Sequence, residues 1–156
     1  MRRLAVSVFV ASLLWILAVP ADAEDPVQRP DQGAATLGTR PAIDLAFEFH
    51  DGDSVDTVRS NPQLVALGKA LSDPGLKNAT FVIACHVKVP GSPEHNLELS
   101  ERCASLVRLV LIEQYGLRSQ ALVAVGYGES KLKNPGNPMA AENQRLQVVN
   151  MGDEPD

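Results

Sequence analysis

The side chains best equipped for chemistry in this 156-residue sequence are its two cysteines, Cys85 and Cys103, with His86 directly after the first. A thiol beside an imidazole suggests a nucleophile and its base. The local pattern argues otherwise. Thr80 to Val87 is a compact apolar run of the kind that forms a buried strand, and neighbours on a strand point to opposite faces. A zinc site made of both cysteines and a histidine lacks the close ligand pairing that such sites use. No P-loop, G-x-S-x-G or H-E-x-x-H pattern occurs. The residues therefore nominate no catalytic group, no metal and no cofactor, and the chemistry left to the cysteines is with each other.

The elements that carry them decide whether they meet. On the strand, Phe81, Ile83, Cys85 and Val87 share one face by the period of two, and this more apolar set should face the helices. From Asn96 a long helix is predicted, with Leu99, Cys103, Leu106, Val107 and Val110 on one stripe and Gly116 at its end. Both thiols then point into one interface. A Cys85–Cys103 disulfide is expected, closing a loop of under about 20 residues and adding about 3 kcal/mol. The alternative is two buried free thiols, cysteine being among the most buried residue types.

The compartment bears on that choice. Arg2 and Arg3 precede an uncharged stretch from Leu4 to Val19, and Ala21-Asp22-Ala23 follows. This is the layout of a secretory signal (residues 1–23), with cleavage expected after Ala23. An uncleaved anchor is the alternative, but a spanning helix needs about 20 apolar residues and this core is shorter. The mature chain is thus expected to have no transmembrane segment, and an exported protein with two cysteines favours a bridge.

Removing residues 1–23 takes away two arginines and one aspartate, so the 14 basic and 19 acidic residues become 12 and 18, a net of −6. An acidic chain argues against nucleic-acid partners and against a polybasic membrane patch. Residues 24–42, with Pro26, Pro30, Pro41, Gly33 and Gly38, read as an extended linker, and 151–156 as a charged tail.

Between them strand and helix patterns alternate. Ile43, Leu45, Phe47 and Phe49 repeat at period two with Asp44 and Glu48 opposite, a half-buried strand. Leu64, Leu67 and Leu71 form a helical stripe stopped by Asp73-Pro74-Gly75. Pro90 to Pro93 reads as a loop, Ala121 to Val125 as a strand, Gly126 to Pro138 as a loop and Arg145 to Val149 as a last strand. The alternation predicts an α/β (α+β) sandwich, a mixed sheet with helices packed on one face, over residues 43–150.

Three segments carry a resemblance that periodicity does not reach. Asn96-Leu97-Glu98-Leu99-Ser100-Glu101-Arg102-Cys103-Ala104 resembles the N-x-x-L-S-x-x-R-A signature of OmpA-like domains (the C-terminal type of outer-membrane protein A). Gly126-Tyr127-Gly128-Glu129-Ser130 is similar to that family's G-Y-G-E-S turn, and Ala141-Glu142-Asn143-Gln144-Arg145-Leu146 to its A-E-N-R-R-V segment. All three stand in the family's order and spacing.

The resemblance implies a βαβαβ-type fold, a place in the periplasm or at the outer membrane, and non-covalent binding of peptidoglycan through diaminopimelate. In such domains an Asp in G-H-T-D-x-x-G faces the ligand's ammonium, and an Arg in the first helical turns holds a carboxylate. Aligned without a gap, Cys85 to Gly91 falls on that motif. His86 and Gly91 match, as does Asn96 downstream. Lys88 stands where the family has its Asp, and Cys103 where it has its Arg. Arg102 is one position away, about 100° around the helix, and does not obviously stand in. Asn143 and Arg145 match the last motif and either border the groove or organise the turn into the final strand. Lys88 is read either as a solvated lysine at a strand end or as the partner of an anion. The implied partners are peptidoglycan, met weakly or through altered contacts, or instead a protein of the envelope.

Overall fold

The computed structural model describes residues 27–28 and 40–153. The expected signal segment, most of the linker and the last three residues lie outside the described residues. Five strands form one mixed sheet in the order β1-β4-β3-β5-β2. They are β1 (Val27–Gln28), β2 (Ala42–Ala46), β3 (Ala79–His86), β4 (Leu122–Gly128) and β5 (Arg145–Asp153). The central β3 runs parallel to β4 and antiparallel to β5, and β2 closes the far edge antiparallel to β5. Among the described residues three α-helices join them: α1 (Val55–Ser60), α2 (Pro62–Leu71) and α3 (Pro93–Tyr115).

Local chemistry accounts for the boundaries. Ser92 caps α3, its hydroxyl accepting from the His95 N–H, and Pro93 takes the first helical position, where a missing N–H costs nothing. This corrects the reading of Pro90 to Pro93 as loop throughout. At the other end Gly116 ends the helix as anticipated, in the left-handed conformation at φ 65°. Asn61 closes α1 and caps α2, accepting from the N–H groups of Gln63 and Leu64. The six-residue α1 is too short to show a period and was not foreseen.

The main core lies between the helices and one sheet face. Phe81, Ile83, Cys85 and Val87 meet Leu64, Leu67, Leu71, Leu99, Cys103, Val107 and Val110 there, as the two periods predicted. Phe47 and Phe49 are buried just beyond β2, whereas Ile43 on the same apolar repeat is 52% exposed at the sheet edge. The opposite face carries a smaller buried set: Val82, Ala84, Val125, Tyr127 and Val149. Val27 and Gln28 pair with Ala124 and Val125 inside the stretch read as linker. β5 likewise continues to Asp153, into the stretch read as tail.

One further difference bears on the site. The glycines of Gly126-Tyr127-Gly128 belong to β4, not to a turn. A Cβ on Gly126 would lie 2.4 Å from the Glu101 backbone nitrogen, and one on Gly128 2.9 Å from the Leu97 Cα. These glycines let α3 settle directly on β4. The Ser100 hydroxyl fixes the contact, accepting from the Gly128 N–H at 2.7 Å.

Candidate functional site

The C-terminal end of β3 and the first turns of α3 form one side of the candidate site. Cys85 and Cys103 are joined in a disulfide with their Cα atoms 6.1 Å apart, both buried. Three residues beyond Cys85, the Lys88 ammonium donates to Glu129 Oε2 at 2.6 Å. The Asn96 amide donates to the same oxygen at 2.6 Å. Asn96 also accepts from the Val89 N–H and donates to the Val89 carbonyl, at 3.0 and 3.2 Å. The bond from Lys88 holds the Glu129 carboxyl below the usual carboxylate range, with Asn96 adding to it against the opposing pull of burial. Lys88 is therefore not the solvated lysine of one reading. Its anion is Glu129, which the sequence reading did not single out. A groove of about 390 Å³ runs beside this cluster, lined by Pro93, Glu94, Leu97, Tyr127, Glu129 and Ser130.

The other sheet face at the same end is built differently. His86 points there, opposite Cys85 as strand parity requires, and stacks on Tyr127 with ring centroids 5.1 Å apart. Across β5 its register partner is Arg145. One nitrogen of that guanidinium donates to the Lys131 carbonyl at 3.2 Å. Its Nε lies 3.7 Å from Asp44, beyond hydrogen-bond reach. Asp44 is engaged by Lys133 at 3.0 Å and by the Gln147 amide at 3.1 Å. Burial pulls its carboxyl up, but Lys133 first, then Arg145 and Gln147, hold it below the usual range. The Lys131 ammonium lies 4.3 Å from the Tyr127 ring centroid.

Within this cluster both ring nitrogens of His86, the Tyr127 hydroxyl, and Nε and Nη1 of Arg145 are buried without a hydrogen-bond partner among the described residues. Leaving such a group unsatisfied costs about 1–3 kcal/mol each. Burial, and secondarily the charge of Arg145, pushes the His86 pKa down to about 4 against the opposing pull of the Gln147 side chain and Asp44, so its ring is neutral at pH 7. Burial also raises the Tyr127 hydroxyl.

The remaining sequence candidates have structural partners. Arg102 donates to the Asp51 carbonyl at 2.7 Å and to that of Asp53, with its guanidinium 5.6 Å from the Phe49 centroid. It ties the loop after β2 to α3 rather than turning toward Lys88. Asn143 is buried and bonds Asn134 N–H, Asn134 O, Asn137 O and Pro138 O, organising the turn into β5. Gly91 sits at φ 153° in the loop before α3, a backbone conformation that favours glycine. The structure thus gathers Lys88 and Asn96 around Glu129, and Tyr127 and Arg145 on either side of His86, as two clusters on opposite sides of the sheet end.

A family model described as the OmpA family matches residues 49–146. The chain belongs to the OmpA family. Among known proteins it is 46% identical over 46 residues to outer membrane porin F of Pseudomonas aeruginosa. That match takes in 30% of this chain and 13% of the porin, so the chain spans a small part of that protein's length. Among solved structures the chain is similar to the periplasmic domain of MotB from Helicobacter pylori. The TM-score is 0.51 at 21% identity, over 74% of this chain and 78% of that one. A further similarity is to the peptidoglycan-associated lipoprotein from Burkholderia pseudomallei (TM-score 0.45, 20% identity, 81% of this chain and 98% of that one). At such identities the MotB likeness is one of fold: a mixed sheet with helices, as the OmpA-like resemblance implied. No helix among the described residues is long and apolar enough to cross a membrane.

Proposed function

We propose that this OmpA-family chain is an exported, non-enzymatic module of the bacterial envelope, residing in the periplasm or against the outer membrane. It meets peptidoglycan weakly, or through contacts other than a diaminopimelate clamp. The observation carrying this reading is the fate of the two positions where the family motif places Asp and Arg. Lys88 is paired with Glu129, and Cys103 is bonded to Cys85.

A ligand ammonium entering at Lys88 would meet a cation. Glu129 does not readily take over the missing carboxylate, because one of its oxygens already accepts from both Lys88 and Asn96. On the helix side a disulfide offers no donor for a ligand carboxylate, where an arginine would give a forked, charge-assisted pair. The same observation favours a second reading, in which cell-wall binding is lost altogether and the fold serves a protein partner in the envelope.

Co-sedimentation with purified sacculi separates these readings. The wild type is compared with the reversal Lys88→Asp, Cys103→Arg, using Cys85→Ser, Cys103→Ser as the control for loss of the bridge. Weak pelleting by wild type and control, with clear pelleting by the reversal, is the expected outcome; no pelleting by wild type at all, with clear pelleting by the reversal, would favour the second reading. Wild-type protein pelleting as strongly as the reversal would remove the altered-clamp proposal.

A further inference from the structure

The cluster on the second sheet face is not accounted for by the function proposed above. His86, Tyr127 and Arg145 are 2%, 1% and 8% exposed. Each carries a polar atom with no partner among the described residues, drawn from three adjacent strands at one end of the sheet. Their unused capacity leans one way. Arg145 has only donors to offer. The hydroxyl of Tyr127 and one nitrogen of a neutral His86 are able to donate as well. With Arg145 itself, Lys131 and Lys133 make three cations here, against one carboxylate partner among the described residues, Asp44. This local excess of positive charge lies on a chain whose formal net charge is −5.

We propose that this face of the sheet end is a binding site for an oxyanion, a carboxylate or phosphate group carried by a larger molecule. The buried guanidinium of Arg145 supplies the charge, and Tyr127 and His86 supply neutral donors. Lys131 forms the rim: it is half-buried, forms no ion pair with a carboxylate among the described residues, and its ammonium rests on the Tyr127 ring. An entering anion takes the Lys131 ammonium from the ring face and gains it as a ligand. Asp44 does not close the site from within, because Lys133 and Gln147 already hold it and its oxygen stays 3.7 Å from Arg145 Nε. The site lies on the sheet face opposite the Cys85–Cys103 bridge, so it stands whether or not the domain touches the cell wall.

The test uses protein expressed from the full-length sequence, titrated separately with inorganic phosphate and with acetate at constant ionic strength. Backbone and histidine-ring NMR signals are followed. Saturable shifts confined to His86, Tyr127, Lys131 and Arg145 are expected, together with a rise in the His86 pKa as the anion binds. The stronger of the two probes identifies the group. Lys131→Gln and Tyr127→Phe should each weaken binding by about tenfold or more, and both substitutions leave the packing of the ring and the strand intact.

Arg145→Lys should abolish the saturable shifts, and its fold is checked by the dispersion of the spectrum. If Arg145→Lys unfolds, Lys131→Gln and Tyr127→Phe decide alone. Shifts scattered over the surface, or equal affinity in wild type, Lys131→Gln and Tyr127→Phe, would overturn the proposal. So would a Tyr127→Phe variant that is merely more stable, with an unchanged response to both anions.

Discussion

At the same end of one sheet, two polar clusters sit back to back and are completed to very different degrees. On the helix side Lys88, Asn96, Ser100 and the two cysteines have each found a partner within the chain. Lys88 and Asn96 share Glu129, Asn96 also brackets Val89, Ser100 holds Gly128, and the cysteines are joined. On the opposite face His86, Tyr127 and Arg145 are more deeply buried than Lys88 and Glu129, yet retain unpartnered atoms. Buried polar groups in folded proteins are nearly always satisfied. The satisfied cluster therefore behaves as structure, although it occupies the positions that the family motif assigns to ligand. The unsatisfied one keeps the capacity for recognition. On the function proposed above, position within a family motif and availability for binding have separated in this chain.

Breaking the bridge tests the structural half of this comparison most severely. Replacing both cysteines by serine should cost about 3 kcal/mol for a loop of this length, since Cys85 and Cys103 are 18 residues apart in sequence. For a domain of this size that lowers Tm by roughly ten degrees or more. Reductant should bring the wild type down to the variant and leave the variant unmoved. Thiol titration of unfolded, unreduced protein should find none free; two titratable thiols would show that the helix side is not locked by the bridge at all.

The second effect comes from the opposite face and is read against pH. The His86 pKa in the folded state is about 4, against an ordinary 6.5. As pH falls below 6.5 the unfolded chain takes up a proton that the folded chain refuses. Stability is thus fully present above about 6.5 and is lost progressively down to about 4. By pH 5 the loss from this residue alone is about 2 kcal/mol. His86→Phe keeps a ring for Tyr127 to stack on and removes the titration, so its urea midpoint should vary less between pH 7 and 5. Equal slopes for the two proteins would mean that His86 is not held neutral, and the contrast between the faces would weaken.

How much of this was legible beforehand follows from what each signal encodes. Periods of two and 3.6 report which side of an element is apolar, and they placed Cys85 and Cys103 in one interface correctly. They report nothing about which strand lies beside which. His86 was thus placed opposite Cys85, but Tyr127 and Arg145 could not be brought to it without the registers of β4 and β5. Glycine misled in one place. Gly126 and Gly128 read as a turn because that is glycine's commonest use, whereas here they admit the backbone of α3. Lys88 posed a third kind of limit. Its partner Glu129 is 41 residues away in sequence. The available hint was that opposite charges stood at the ends of two strands able to lie side by side. The disulfide was reachable from local pattern, and the two clusters were not, because they depend on tertiary neighbours.

The smallest predicted effect is also the most discriminating for the helix side. The side chains of Lys88 and Glu129 retain 18% and 25% of their exposure, so solvent screens the pair and its contribution stays within about 1 kcal/mol. Lys88→Met should therefore lower stability only slightly, by roughly 0.5–1 kcal/mol in urea denaturation. Glu129→Gln should cost slightly more, because Asn96 shares that oxygen and loses a charge-assisted acceptor. The double variant Lys88→Met, Glu129→Gln should be less destabilised than the sum of the singles, the signature of a direct pair. Strictly additive losses would mean that Lys88 is free in solution despite its position. The helix side would then hold an available cation of its own, and the division between a satisfied and an unsatisfied face would have to be redrawn.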